Sequence, residues 1–148
     1  MIKEKSCGAV VFRKNGKEIL YLLLYRKAHD HYKESWDFPR GLMEEGETEE
    51  ETTIRETLEE TAINDLKFEK GFLERIKWVY KKEGAFVSKE VVYHLGETNS
   101  SEVKLSHEHD DFRWCNFEEA LKLIKFSNTK SILKKANEFL VGGLNRFI

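Results

Sequence analysis

Cysteine is scarce in this chain. Cys7 and Cys115 belong to no motif, so neither a disulfide framework nor a cysteine-based zinc site is implied. Long apolar runs are missing too: the longest, Ile19 to Tyr25, is far too short to span a membrane. The opening residues, MIKEKS, lack the make-up of a signal peptide and lead directly into a strand-like pattern. A soluble cytoplasmic protein without a membrane partner is therefore the expectation. Proline occurs once, at Pro39, and there is no repeat, low-complexity tract or interdomain linker. What is present is a foldable composition: 40% hydrophobic and 12% aromatic over 148 residues. That argues against disorder and for a single domain spanning residues 1–148 with a real core.

Basic residues are also nearly absent from one stretch. Gly41 to Ala62, GLMEEGETEEETTIRETLEETA, carries nine glutamates and a single arginine, Arg55. The local charge is −8 in a chain whose formal net charge is −2, so the remainder sums to +6. Such polarisation suggests an acidic site that takes cations, within a mildly basic protein able to meet an anionic substrate.

The remaining pattern places this segment. Ser6 to Arg13 reads as a strand, and Asn15-Gly16 as a two-residue hairpin turn. Ile19 to Arg26 is apolar on both faces and predicts a central strand covered on both sides. KAHDHYKES makes a loop that ends at WDFPRG. Thr48, with Glu51 three residues on, has capping-box spacing and predicts a helix running to about Ala62. Ile54, Leu58 and Ala62 form a narrow apolar stripe expected to face the core, and Asn64 is expected to supply a left-handed cap. Glu56, Glu59 and Glu60 share another face. Lys67 to Lys81 and Phe86 to Leu95 read as strands joined by a hairpin loop at KKEG. NSSEVKLSHEHDD reads as a loop, FRWCNF as a short strand, and Phe117–Phe126 and Ser131–Leu140 as helices. Strands early and helices flanking them predict an α+β fold with a three-layer α/β/α arrangement.

Like charges one helical turn apart destabilise an isolated helix by roughly 0.2–0.5 kcal/mol per pair. Divalent cations between the carboxylates remove that cost, and hard cations such as Mg²⁺ or Mn²⁺ prefer oxygen ligands and share them with phosphates. The alternative is that a glutamate-rich helix is only a solvated face. The order of residues weighs against it: Gly41, five residues, Glu47, seven residues, Arg55-Glu56, two residues, Glu59-Glu60, then Ala62 and Ile63. This resembles the Nudix box, G-x5-E-x7-R-E-U-x-E-E-x-G-U, without a gap, and WDFPRG resembles the family's approach to it. Two positions depart: Thr57 stands at an aliphatic position and Ala62 at the closing glycine.

The resemblance implies a mixed sheet between helices, a Mg²⁺ (or Mn²⁺) cofactor, and hydrolysis of a diphosphate linked to another group. It implies Glu56 and Glu60 as metal ligands and Glu59 as a ligand or the base. It further implies that Gly41 offers a backbone carbonyl to the metal, that Arg55 orients the glutamates and that Glu47 steadies the loop. Beyond the box, SCGAVVFR, LYLLLYR and LSHEHDDFRW resemble the branch of the family that cuts dinucleoside tetraphosphates asymmetrically, into a nucleoside triphosphate and a monophosphate. There Glu108 is implied as a further metal ligand or base. A competing reading makes His107 and His109 a transition-metal site, but no third soft ligand accompanies them.

A dinucleotide also needs aromatic platforms, each stacked base being worth about 1–3 kcal/mol, and cations for phosphate. Trp78, flanked by Lys77 and Lys81, and Tyr32, in the loop with His31 and Trp36, are the candidates; each aromatic could equally be core. Arg40, beside Gly41, stands where the family often has a phosphate-binding basic residue. Lys104 faces either phosphate or solvent. Rival readings are another Nudix substrate and an inactive binding module. The substrates include the 5′ end of RNA, a nucleotide sugar and a nucleoside triphosphate. The modest net charge speaks against RNA, and the intact set of box glutamates speaks against a dead enzyme.

Overall fold

Leu20 to Leu24 are buried without interruption, and alternate residues enter different clusters. Tyr21 and Leu23 pack with Val10 and Phe12 against residues of the two C-terminal helices. Leu22 and Leu24 pack with Ala9, Val11 and Ile63 on the opposite face. A strand with two apolar faces has to sit between two layers, and each such leucine contributes about 1.5–3 kcal/mol by leaving water. A computed structural model of the chain describes residues 1–30 and 32–145, with side chains as far as residue 142. In order the elements are β1 (Ile2–Asn15), β2 (Glu18–Arg26), β3 (Ser35–Asp37), β4 (Arg40–Leu42), α1 (Glu49–Thr61), β5 (Lys67–Phe68), β6 (Glu74–Lys82), β7 (Ala85–Glu97), β8 (Asp111–Cys115), α2 (Phe117–Leu123) and α3 (Ser127–Asn145). The fold is α+β: a mixed sheet with α1 on one face and α2 and α3 on the other.

The sheet is mixed because β1 runs parallel to β7, from Ile2 opposite Val87 to Phe12 opposite Glu97, while its other pairings are antiparallel. β1 and β2 form a hairpin as far as Phe12 opposite Tyr21. Beyond that point they part, and the segment from Ser35 to Leu42 fills the gap. β3 pairs with β2, Leu24 opposite Asp37, and β4 pairs with β1, Cys7 opposite Gly41. This wedge carries Arg40 and Gly41 into the middle of the sheet, next to α1.

Several boundaries differ from the sequence expectation. β1 begins at Ile2 rather than Ser6, because its polar first residues are held by the distant strand β7. The first hairpin turns at Gly16-Lys17, one residue later than expected, since Asn15 pairs with Glu18 and Gly16 takes the positive φ. The expected Lys67–Lys81 strand is split into β5 and β6 around Gly71, whose φ is 93°. The KKEG loop is a tight turn at Glu83-Gly84, both with positive φ.

The helix α1 has its expected start. Thr48 caps the Glu51 amide and Glu51 returns to the Thr48 amide, closing the capping box. Its buried face is not the expected one. Ile54 and Leu58 are each 46% exposed and Ala62 is exposed, while Thr52, Thr53, Thr57 and Thr61 face inward with Glu60. Threonine can do this because its hydroxyl can return to the preceding turn, as it does in Thr52, Thr53 and Thr61, though not in Thr57. Thr53 bonds the Glu49 carbonyl and His94 Nδ1, and Thr61 bonds the Thr57 carbonyl. The C-terminal expectation is corrected as well. Ala62, not Asn64, takes the left-handed conformation, with φ 64°, and its amide bonds Leu58 O. The left-handed residue that closes the helix is therefore an alanine, at a cost of about 1 kcal/mol.

Candidate active site

Arg55 is the hub of the acidic segment. Its Nε and Nη2 reach the two oxygens of Glu47 at 2.7 and 3.0 Å. Nη1 bonds Glu56 at 2.8 Å and both oxygens of Glu59 at 3.3 Å, and Nη2 also donates to the Leu42 carbonyl. Glu47 accepts in addition from the Glu44 amide and the Thr52 hydroxyl. The Arg55 bonds, with that amide, lower its pKa to about 2. Glu47 and Arg55 thus join the loop after β4 to α1.

Glu60 has the opposite environment. It is 3% exposed, and its Oε2 is buried without a hydrogen-bond partner among the described residues. Burial, and then the nearby charges of Glu56 and Glu108, push its carboxyl up to about 8. Glu56 is half-buried; burial raises its pKa and the Arg55 bond opposes that rise. Gly41 lies against Glu56 so closely that a Cβ there would fall on the Glu56 carboxylate. Glu59 is on the exposed side, 55% open, turned to Arg55.

Glu108 reaches this group from the 103–110 loop. That loop is docked on the end of α1 by Lys104 N to Thr61 O and Ser106 N to Glu60 O. Arg26 Nε bonds the Glu108 carbonyl, and the Asp110 amide bonds Tyr25 O of β2 while its carboxylate accepts from the Lys27 amide just past that strand. Among the described residues no three carboxylate, histidine or cysteine side chains gather around one point as a finished metal site. Two features fit a divalent cation nonetheless: the unpartnered buried oxygen of Glu60 and the all-oxygen donor set, in which the missing Cβ of Gly41 lets the Glu56 carboxylate lie against the Gly41 backbone. His107 is exposed while His109 is turned inward, so the two histidines do not form a pair of ligands on one side.

Two cavities meet at this site. A hollow of about 200 Å³ lies over Glu60 and Gly41 and is closed by Arg26, Asp37, Arg40 and His109, among others. A cleft of about 380 Å³ beside it is lined by Tyr32, Lys33, Ile76, Trp78, Tyr93 and Phe126 together with Arg26, Asp37 and Arg40. Trp78 is 38% and Tyr32 69% exposed, so both offer ring faces. Lys77 and Lys81 lie outside both cavities. Strand alternation turns them from the Trp78 face: Lys77 pairs with Glu90 at 3.6 Å, and Lys81 lies over the Phe86 ring. Trp36 packs on the core beside Tyr25, with Arg113 over its ring. Lys104 is exposed, and His31 lies outside the described residues.

The sequence reading did not single out Arg26, Asp37, Tyr93 and Phe126. Asp37 is enclosed enough that burial raises its pKa against the pull of Arg40. Arg40 spends one nitrogen on the Tyr93 hydroxyl at 2.9 Å and lies 3.6 Å from Asp37. The available signal was a basic residue ending an otherwise apolar strand, LYLLLYR.

The profile described as NUDIX domain matches residues 3–135. A mouse protein named bis(5′-nucleosyl)-tetraphosphatase [asymmetrical] is 33% identical over 146 residues, covering 92% of this chain and 95% of that protein. The Caenorhabditis elegans protein of the same name is 35% identical over 141 residues, 93% of this chain and 97% of its own length. A solved structure titled as a C. elegans Ap4A hydrolase binary complex is similar with a TM-score of 0.80 at 34% identity, over 94% of this chain and 98% of that one.

Proposed function

The chain belongs to the Nudix domain family, and from that premise we propose that it hydrolyses dinucleoside polyphosphates, cutting diadenosine tetraphosphate asymmetrically into ATP and AMP. The observation that carries the reading is the buried carboxyl of Glu60, one oxygen without a partner, in a hollow that adjoins an aromatic and basic cleft. The relatives named above, similar over almost the whole chain, support the substrate class.

Glu56 and Glu60, with the Gly41 carbonyl, would hold the divalent cation, Mg²⁺ or Mn²⁺. A bound cation supplies neutralisation of phosphoryl oxygens and a lowered pKa for water. The chain's own residues do the rest. Arg55 fixes Glu56 and Glu59, so that neither carboxylate has to be ordered when substrate arrives. Glu59 and Glu108 are the exposed carboxylates at the rim, and one of them takes the proton of the attacking water. A phosphorus–oxygen bond to that water forms as the bridging phosphorus–oxygen bond breaks. Trp78 and Tyr32 stack the nucleobase in the cleft.

The test is product analysis. Purified protein with Mg²⁺ and diadenosine tetraphosphate should yield ATP and AMP. Two ADP, or no turnover together with release of diphosphate from triphosphorylated RNA, would overturn the substrate assignment.

A further inference from the structure

Arg26, Ser35, Asp37 and Arg40 are common to the lining of the aromatic cleft and of the hollow over Glu60. They form the neck through which any group spanning the two must pass. A chain of phosphates running from a stacked base to the acidic site is such a group, and it needs a cation at the neck. Two guanidiniums are present, and they differ in what is left to offer. Arg40 is committed to Tyr93 and Asp37. Arg26 is anchored only through Nε, at 3.2 Å from the Glu108 carbonyl. Among the described residues no protein group accepts from its two terminal nitrogens. Half-buried and held at one edge, its guanidinium presents the other edge to the neck.

We propose that Arg26, rather than Arg40, is the phosphate-binding residue of this site, its free nitrogens gripping the oligophosphate between the base cleft and the acidic helix. The inference rests on the nucleotide reading above and names the group that positions that substrate. A guanidinium suits the role because it donates two parallel bonds to phosphate oxygens. The same side chain holds the backbone of Glu108, so gripping the phosphate also fixes the loop carrying that carboxylate. Arg40 is then a positioning residue for Asp37 and the cleft wall.

Calorimetric binding of ATP and of adenosine, in Mg²⁺ buffer, to the wild type and to Arg26→Gln tests this. ATP affinity should fall about 10- to 100-fold, the size of a lost charged hydrogen-bond pair, and adenosine affinity should not change. Arg26→Lys, which keeps the charge but loses the fork, should weaken ATP by a smaller factor, with adenosine again unaffected. It serves if the glutamine variant does not fold. Arg40→Gln should lower the melting temperature without selectively weakening ATP. Undiminished ATP binding by the Arg26 variants overturns the proposal and leaves the nucleotide reading standing. An equal loss for ATP and adenosine also overturns it, because Arg26 would then only shape the cleft. If the wild type binds neither compound, the nucleotide reading itself fails and takes this inference with it.

Discussion

Glu47 and Glu60 lie in the same acidic motif, yet the fold treats them in opposite ways. Glu47 meets Arg55 through both oxygens and accepts two further bonds, so its charge is fully answered by the protein. Glu60 is buried with one oxygen unanswered, beside Glu56 and Glu108. The first carboxylate is held below its usual pKa and the second far above it. A charge completed by the protein builds structure, whereas a buried charge left incomplete is a demand for a ligand. On the proposed function the acidic segment is thus two systems: a brace at its loop end and a seat for a cation at its helix end.

Substitution at the seat separates the two most strongly. Glu60→Gln should reduce turnover of diadenosine tetraphosphate on the order of 10³-fold, the loss of several kcal/mol of cation-supplied charge stabilisation. A steady-state assay checks it, and a loss of only severalfold would make Glu60 an ordinary buried side chain. Glu47→Gln should act less directly, weakening Mn²⁺ affinity by about 10-fold and lowering the melting temperature.

The pH dependence sharpens the contrast, because the two shifts have opposite signs. The raised pKa of Glu60 means that the metal-free folded state keeps a proton the unfolded chain has lost. Its contribution is therefore present below 4.5 and is lost as pH rises toward about 8. The lowered pKa of Glu47 gives stability that is present above 4.5 and is lost as pH falls toward about 2. In melting experiments with chelator, Glu60→Gln should exceed the wild type at pH 9, with the gap closing toward pH 5. Glu47→Gln should fall below the wild type at pH 7, with the gap closing in acid. Parallel curves for the two variants would erase the distinction.

Smaller effects test the frame that holds both groups. Ala62→Gly should stabilise the protein by about 1 kcal/mol by relieving a left-handed alanine; a loss of stability in urea melts would contradict the cap. Leu58→Gln should change stability by no more than about 0.5 kcal/mol, as expected for a surface position. A larger loss would return that side chain to the core.

Much of this arrangement could be read from residue order. The capping box and the two-faced strand β2 follow from local spacing, and the structure realises them; the roles of Arg55 and Glu47 were implied by the resemblance to the Nudix box, and the structure joins the two side chains. What could not be read depends on partners distant in the chain. The inward face of α1 is threonine, and composition ranks threonine below Ile54 and Leu58. Only Glu47, His94 of β7 and the carbonyls of the preceding turn show how the hydroxyls of Thr52, Thr53 and Thr61 are satisfied, and that of Thr57 has no partner among the described residues. The early start of β1 likewise depends on β7, more than eighty residues away. Within the site, Lys77 and Lys81 share composition with Trp78 but not its side of the strand. Arg26 becomes visible only where two cavities meet.

On the proposed function, a divalent cation completes the unanswered oxygen of Glu60. Calorimetric titration with Mn²⁺ at pH 7, repeated in buffers of different ionisation enthalpy, counts the protons released on binding. With the Glu60 pKa near 8, the wild type should release close to one proton per cation and Glu60→Gln close to none. Equal proton release by both proteins, or unchanged Mn²⁺ affinity in the variant, would contradict the account.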